Sequence, residues 1–258
     1  SLLGLPGQPS VALNIDGEGP LSDFAANIGL ATDGQDRISG TVALLANDNG
    51  EPGTSFSADI SGDIRPLLEP ESREFFGEDL SLKVDGTRYQ SGALDLTDLT
   101  VTSDAINISG SAAFGEDLGP SRVALTGDIA APEGGKIELP IPGEVTRLDR
   151  ADLDILYNAE TSDDWSARIE VVGLDRPTLS ARLLRIDGAG SLSRGEGTAL
   201  GQLAGTFDVQ AENLEFTDPN LSQAVGTDAT GQFDVSYIED APFKISNLTL
   251  SGAGTEVA

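Results

Sequence analysis

The stretch Ser55-Phe56-Ser57-Ala58-Asp59-Ile60-Ser61-Gly62-Asp63-Ile64 alternates cleanly. Phe56, Ala58, Ile60, Gly62 and Ile64 share one parity; Ser55, Ser57, Asp59, Ser61 and Asp63 share the other. A period of two sends successive side chains to opposite faces of a β-strand, so this run predicts a strand with one apolar and one wet face. The pattern recurs along the chain in short runs, and helical periodicity is nearly absent. Polar clusters separate the runs: TDGQDR (Thr32 to Arg37), NDNGEPG (Asn47 to Gly53), APEGGK (Ala131 to Lys136) and NAETSDD (Asn158 to Asp164). Their Asp-Gly, Asn-Gly and Gly-Gly pairs are the chemistry of tight reversals. Turn signals a dozen or so residues apart predict antiparallel, meander-like β-structure.

Two stretches lack the alternation. In Arg65 to Leu80, Leu67, Leu68, Phe75 and Phe76 cluster as a short helical or looped plug would. Asp218 to Gly226 opens on an Asp-Pro pair that can cap a helix and closes on a glycine that can stop one. Interruptions are therefore expected near 65–80 and 218–226, within one repetitive β segment over 1–258.

A degenerate repeat runs through that segment. NIDG ends at Gly17, RISG at Gly40, DISG at Gly62, KVDG at Gly86, NISG at Gly110, ALTG at Gly127, RIDG at Gly188 and TLSG at Gly252. The first four intervals are 23, 22, 24 and 24 residues, and later ones are less regular. Repeat architectures therefore come first into consideration. In each repeat the glycine shares the apolar parity, as in Ile106, Ile108, Gly110, Ala112 and Phe114, or Leu203, Gly205, Phe207 and Val209. A sheet bending sharply toward its apolar face crowds its inward Cβ atoms, and glycine has none. Gly62, Gly110, Gly127, Gly205 and Gly231 are the expected crease of such a bend. The alternative is a set of independent bulge glycines in a sandwich.

Composition narrows the chemistry. The chain has 258 residues, 38% of them hydrophobic and only 5% aromatic, with a formal net charge of −28. That charge argues against a nucleic-acid partner, which needs basic contacts to release counterions. It also disfavours adhesion to anionic membrane surfaces. There is no Cys and no His, which excludes disulfides, thiolate nucleophiles, His-dependent triads and His-ligated metals. No cofactor is expected. There is no Met even at position 1, so the chain reads as processed or as a piece of a longer protein. No run approaches the ~18–20 apolar residues that span a bilayer, and no signal peptide is visible, so any anchor is expected outside this piece.

The predicted inner face is mostly Ile, Leu, Val, Ala and Gly, and the chain offers almost no helix to cover it. Its lining is expected from Phe56, Ile60, Ile64, Ile106, Ile108, Phe114, Val123, Leu125, Ile129, Phe207, Val209, Phe233 and Val235. Burying apolar area yields roughly 25 cal/mol per Å², so an opposite wall, another chain or acyl chains must cover it. Lipid tails match a dry aliphatic lining at about 0.8 kcal/mol per buried CH₂.

The short β-runs ending in a small residue and glycine resemble the TamB family of AsmA-like proteins, the inner-membrane subunit of the bacterial translocation and assembly module. So do Gly62 to Leu80 (GDIRPLLEPESREFFGEDL), Leu139 to Glu160 (LPIPGEVTRLDRADLDILYNAE) and DPNLSQAVG. The resemblance covers most of the chain. It implies an elongated antiparallel sheet folded into a U-shaped hydrophobic groove, a β-taco, in the periplasm. It further implies that the groove conducts phospholipid acyl chains between the inner and outer membranes, or that the protein supports outer-membrane protein assembly with a barrel partner. The family's membrane helix and partner-binding domain are not recognisable here, so both contacts are expected through regions outside this segment. The family has no catalytic motif to carry over, and no enzyme is expected.

The alternative is a right-handed parallel β-helix, serving as an extracellular adhesin or scaffold, whose rungs of roughly two dozen residues would suit the early intervals. Irregular intervals after Gly127 and hairpin-like turn clusters count against it. Smaller motifs carry little. Asp163-Asp164 beside Trp165, the sole tryptophan, reads as a turn before a strand rather than a glycosidase pair. Asn47 to Glu51 lacks EF-hand spacing, and Gly17-Glu18-Gly19 and Gly188-Ala189-Gly190 lack the third glycine of a dinucleotide loop. The Asn-X-Ser/Thr triplets at Asn107, Asn220 and Asn247 occur by chance in a chain this rich in Ser and Thr.

Overall fold

Asp33-Gly34 shows how local chemistry sets the topology. Both residues have positive φ, +51° and +75°, as the two-residue type I′ loop requires, and the twist of that loop matches the strands it joins. Thr32 and Gln35 on either side are antiparallel partners. The computed structural model describes residues 10–47, 50–131, 134–193, 201–239, 241–252 and 255–257. Parts of two predicted turn clusters, 48–49 and 132–133, lie outside these residues. The chain forms two compact units, Ser1–Leu118 and Gly119–Ala258.

The first unit is an antiparallel meander. Its strands are β1 (Val11–Glu18), β2 (Asp23–Thr32), β3 (Gln35–Asn47), β4 (Gly53–Gly62), β5 (Leu80–Tyr89), β6 (Leu94–Thr102) and β7 (Ile106–Phe114). Each pairs with the next. A 3₁₀ turn, Arg65–Leu67, and helix α1 (Pro70–Phe76) occupy the β4–β5 connection. Proline is suited to the first turn of α1, where its missing N–H is not needed. Gly77, at φ +63°, ends the helix, and its N–H donates to the Arg73 carbonyl at 3.0 Å. Phe75 is buried, with its ring edge-on to Phe76 at 5.1 Å.

The second unit has β8 (Pro120–Ala130), β9 (Ile137–Glu138), β10 (Arg147–Leu148), β11 (Arg150–Asn158), β12 (Asp164–Asp175) and β13 (Leu179–Ser193). It continues with β14 (Gln202–Glu212), β15 (Glu215–Phe216), helix α2 (Pro219–Val225), β16 (Ala229–Ile238), β17 (Lys244–Gly252) and β18 (Thr255–Val257). The main ladder runs β8, β11, β12, β13, β14, β16, β17, β18. Two-residue strands attach at its side: β9 pairs with β10, β10 with β12, and β15 with β13. Asp218 caps α2 by accepting the Asn220 N–H at 2.8 Å, and Gly226 closes it.

Every ladder among the described residues is antiparallel. The described residues are all-β with two short helices, and the parallel β-helix alternative does not hold. In a parallel coil successive rungs run the same way; here turns such as Asp33-Gly34 reverse the chain between neighbouring strands.

Register then aligns the apolar parity from strand to strand. In the first unit one row reads Ile15, Ile28, Gly40, Ile60, Leu82, Val101, Ile108. In the second, Gly127, Leu153, Ile169, Ile186, Val209, Gly231 and Leu250 form one row. Leu125, Ile155, Ala167, Gly188, Phe207 and Phe233 form the adjacent row on that face. A one-residue slip would turn a whole strand's apolar set to the wrong face, so the pattern itself specifies the pairing. The opposite face carries cross-strand ion pairs, Arg168 with Asp187 and Arg185 with Glu170, each at 2.6 Å. Exposed pairs of this kind contribute about 0–1 kcal/mol each and serve mainly to keep that face wet.

The five predicted crease glycines do not fall on one transverse line. Gly62 lies opposite Ile38 and Leu80, and Gly110 opposite Leu99, on a different row. Gly127 and Gly231 share a row whose intervening members all carry side chains, whereas Gly205 faces Gly190 and Val235 on another. Two of these positions need glycine for a visible reason. Gly62 has φ +151°, and a Cβ there would meet the Arg37 carbonyl carbon at 2.8 Å. Gly205 lies under the Trp165 indole, so the ring occupies the space a Cβ would fill.

These contacts predict opposite outcomes for two glycines. Gly205→Val displaces the indole and should cost about 1–3 kcal/mol, read as a lower Tm with a red-shifted Trp165 emission. Gly29 is on the wet face of β2, and a Cβ there would meet nothing within 4 Å. It should accept valine with a gain of about 0.5–1 kcal/mol. Equal effects on Tm would refute this distinction.

Candidate functional site

The candidate site is the apolar sheet face, and it is poorly covered. Among the described residues the most deeply buried aliphatic side chains are Ile137 and Leu148, each 1% exposed. They face one another across the small β9–β10 pair rather than from the middle of the main ladder. Of the expected lining in the first unit, Phe56 and Ile60 are on β4, Ile64 follows that strand, and Ile106, Ile108 and Phe114 are on β7. Of that in the second, Val123, Leu125 and Ile129 are on β8, Phe207 and Val209 on β14, and Phe233 and Val235 on β16. Ile106 and Val235 are buried, and the other eleven are half-buried. Long aliphatic side chains thus stand side by side in register with one flank open.

In the second unit this face deepens into a cavity of about 390 Å³, within the roughly 300–1,000 Å³ range of small-molecule sites. Val209 and Phe233 from the expected lining border it, with Gly231 on β16 directly opposite Val209. Leu184, Ala211, Ala229, Leu248 and Leu250 continue the wall, and Leu174, Leu179, Ala181, Leu214 and Phe216 close one end. Phe233 stacks on Phe207 at 5.2 Å and 11°, and Phe207 tilts against Trp165 at 5.6 Å. This aromatic run lies across Gly188 and Gly205: a Cβ on Gly188 would meet the Phe207 ring at 2.5 Å, and one on Gly205 would enter the indole. Gly188 and Gly205 are therefore sockets for rings that lie flat on the sheet.

The end wall escapes a reading based on alternation. Gly173 has φ +67° near the end of β12, and Lys136 donates to its carbonyl. Beyond it Leu174, of the opposite parity to Val171, reaches the same cavity as Leu184. Leu214 and Phe216 belong to a short stretch beside α2, where no alternating run is long enough to assign a face. The apolar parity of Leu248 and Leu250 was legible, but Asn247, at φ +52°, shifts the register between β17 and β16.

Asn247 also sets an electrostatic detail of the wet face. Its amide donates to Asp234 at 2.6 Å, and the Thr206 hydroxyl donates to the same carboxylate at 2.7 Å. These bonds hold the Asp234 acid below the usual carboxylate range, against a smaller opposing effect of burial. In the first unit the Arg65 guanidinium does the same for Asp63, with which it forms a 2.9 Å pair.

Comparison of the chain with protein-family models, with curated proteins and with solved structures returned no match. Among the described residues no helix is long and apolar enough to cross a membrane.

The Asp234 bonds predict a pH dependence of defined sign. A carboxyl whose folded-state pKa is lowered stabilises the fold fully above its unfolded value, near 3.8, and loses that contribution as pH falls through the lower folded value. Asp234→Asn should therefore lower the Tm at pH 7, with the gap from the parent closing as the pH drops below about 4. A gap that persists unchanged at about pH 2 would show that the carboxylate charge is not what these donors stabilise.

Proposed function

We propose that the apolar face forms a groove that shelters lipid acyl chains. In this reading the protein is a TamB-like segment of the periplasm, tethered to the inner membrane through a region outside this chain. It passes phospholipid tails between the inner and outer membranes, or uses the same groove to support outer-membrane protein assembly with a barrel partner bound elsewhere. The step is passive: tails follow a continuous apolar path while headgroups stay wet, and no side chain reacts.

One observation carries the reading. Aliphatic rows lie in register across each unit's strands, half-exposed, and in the second unit they border a cavity of about 390 Å³ with an almost wholly apolar wall. Sheltering about ten methylenes there yields roughly 8 kcal/mol before the cost of ordering the chain. The acidic wet face supports the same division of labour, since it repels anionic membrane surfaces and leaves the apolar face as the contact for lipid.

Protein purified from a bacterial cytosol without detergent should carry phospholipid in native mass spectrometry. Leu248 is 66% exposed at the cavity wall, so Leu248→Asp places a charge there without burying it and should lower lipid occupancy several-fold. Leu156, exposed on the wet face of β11, is the control, and Leu156→Asp should leave occupancy unchanged. A lipid-free parent protein with a cooperative melt would contradict the proposal and favour a scaffold whose sheet needs no cargo.

A further inference from the structure

The cavity of the second unit contains one feature that an acyl-chain site alone does not need. Arg176 is in its wall, directly after β12. The Arg176 backbone is held in the β12–β13 turn, where its N–H donates to the Leu179 carbonyl at 2.9 Å. Its Nε is the one buried side-chain nitrogen or oxygen among the described residues that lacks a hydrogen-bond partner. A buried donor left unsatisfied is costly, and native structures rarely keep one without a reason.

The nearest acid does not meet the need. Glu144 Oε2 stands 3.6 Å from Arg176 Nη2, while the same oxygen accepts the Thr178 hydroxyl at 2.8 Å. Other arginines of this unit are closely paired: Arg147 with Glu138 at 2.8 Å, and Arg168 and Arg185 with their acids at 2.6 Å. Arg176 thus combines a loosely engaged guanidinium, on a side chain 37% exposed, with a buried and unsatisfied Nε–H, in the wall of an apolar cavity and in a chain of net charge −28. A guanidinium presents paired N–H donors that match a carboxylate or phosphate through two parallel hydrogen bonds.

Building on the acyl-chain reading of this cavity, we propose that it binds a single-chain anionic amphiphile. The tail lies among Leu184, Val209, Ala211 and Phe233, and the anionic head takes Arg176. The volume of about 390 Å³ is at the small end of ligand sites and suits one chain at a time, so a phospholipid would place only one of its tails there. The selectivity is for the charge of the head, and neutral amphiphiles of equal length use only the apolar wall.

Isothermal titration calorimetry on the full chain, with dodecanoate, dodecyl phosphate and dodecanol below their aggregation limits, tests this assignment. Both anions should bind the parent protein about ten- to a hundred-fold more tightly than the alcohol, the gain of a charged hydrogen-bonded pair. The order of the two anions identifies the head as carboxylate or phosphate. Arg176→Gln should abolish the preference while leaving dodecanol affinity unchanged, and Arg176→Lys, which keeps the charge but not the fork, should retain part of it. Circular dichroism melts verify that both variants are folded. Equal affinities for acid and alcohol in the parent, or an undiminished preference in Arg176→Gln, would remove Arg176 as the head anchor while sparing the groove. Binding of none of the three would overturn the groove reading together with this one.

Discussion

The structure depends on the coincidence of two periodicities: side chains alternate along each strand, and antiparallel register carries the alternation from strand to strand, interrupted only at bulges such as that at Asn247. The row from Gly127 through Leu153, Ile169, Ile186 and Val209 to Leu250 exists only because each ladder pairs like parity with like. Packing two aliphatic side chains directly across a strand pair is worth a fraction of a kcal/mol to about 1 kcal/mol, and such pairs repeat along every row. They fix the register but do not remove the outer flank of each side chain from water. That residual exposure is what covering this face with apolar groups would relieve. The two helices, each seven residues long, are too short to serve as a second layer.

The opposite face solves a different problem. A wide antiparallel sheet presents edges and flat surfaces that invite other strands. Here the wet face is dense in carboxylates, many of them cross-paired or hydrogen-bonded, as Asp187 is with Arg168 and Asp234 with Asn247 and Thr206. Net charge of this sign keeps copies apart in solution. It also makes an incompletely paired cation conspicuous, and Arg176 is the one that borders the cavity.

Much of this was legible in the sequence, and the parts that were not share a cause. Alternation in Ser55 to Ile64 specified β4 and its apolar face, and Asp33-Gly34 specified a reversal. Asp218-Pro219 and Gly226 bounded α2. The role of the mid-strand glycines was less accessible. Their parity is a one-dimensional fact, but what fills the space above Gly205 is an indole two ladders away, on Trp165. Likewise Leu174 and Phe216 enter the cavity only because Gly173 adopts positive φ and because β15 returns to pair with β13. Arg176 carried no sequence signal at all, since its importance lies in a hydrogen bond that is missing.

The central claim is that acyl chains lie against the apolar face, and Trp165 reports on that face directly. It is the only tryptophan of the chain, and its indole is packed beside Phe207 over Gly205. Quenching of its fluorescence by phospholipids brominated at successive positions along the acyl chain measures contact with the tail. The account predicts quenching that varies with the brominated carbon and is relieved by unbrominated lipid. Unquenched emission from the folded protein at saturating brominated lipid would contradict it.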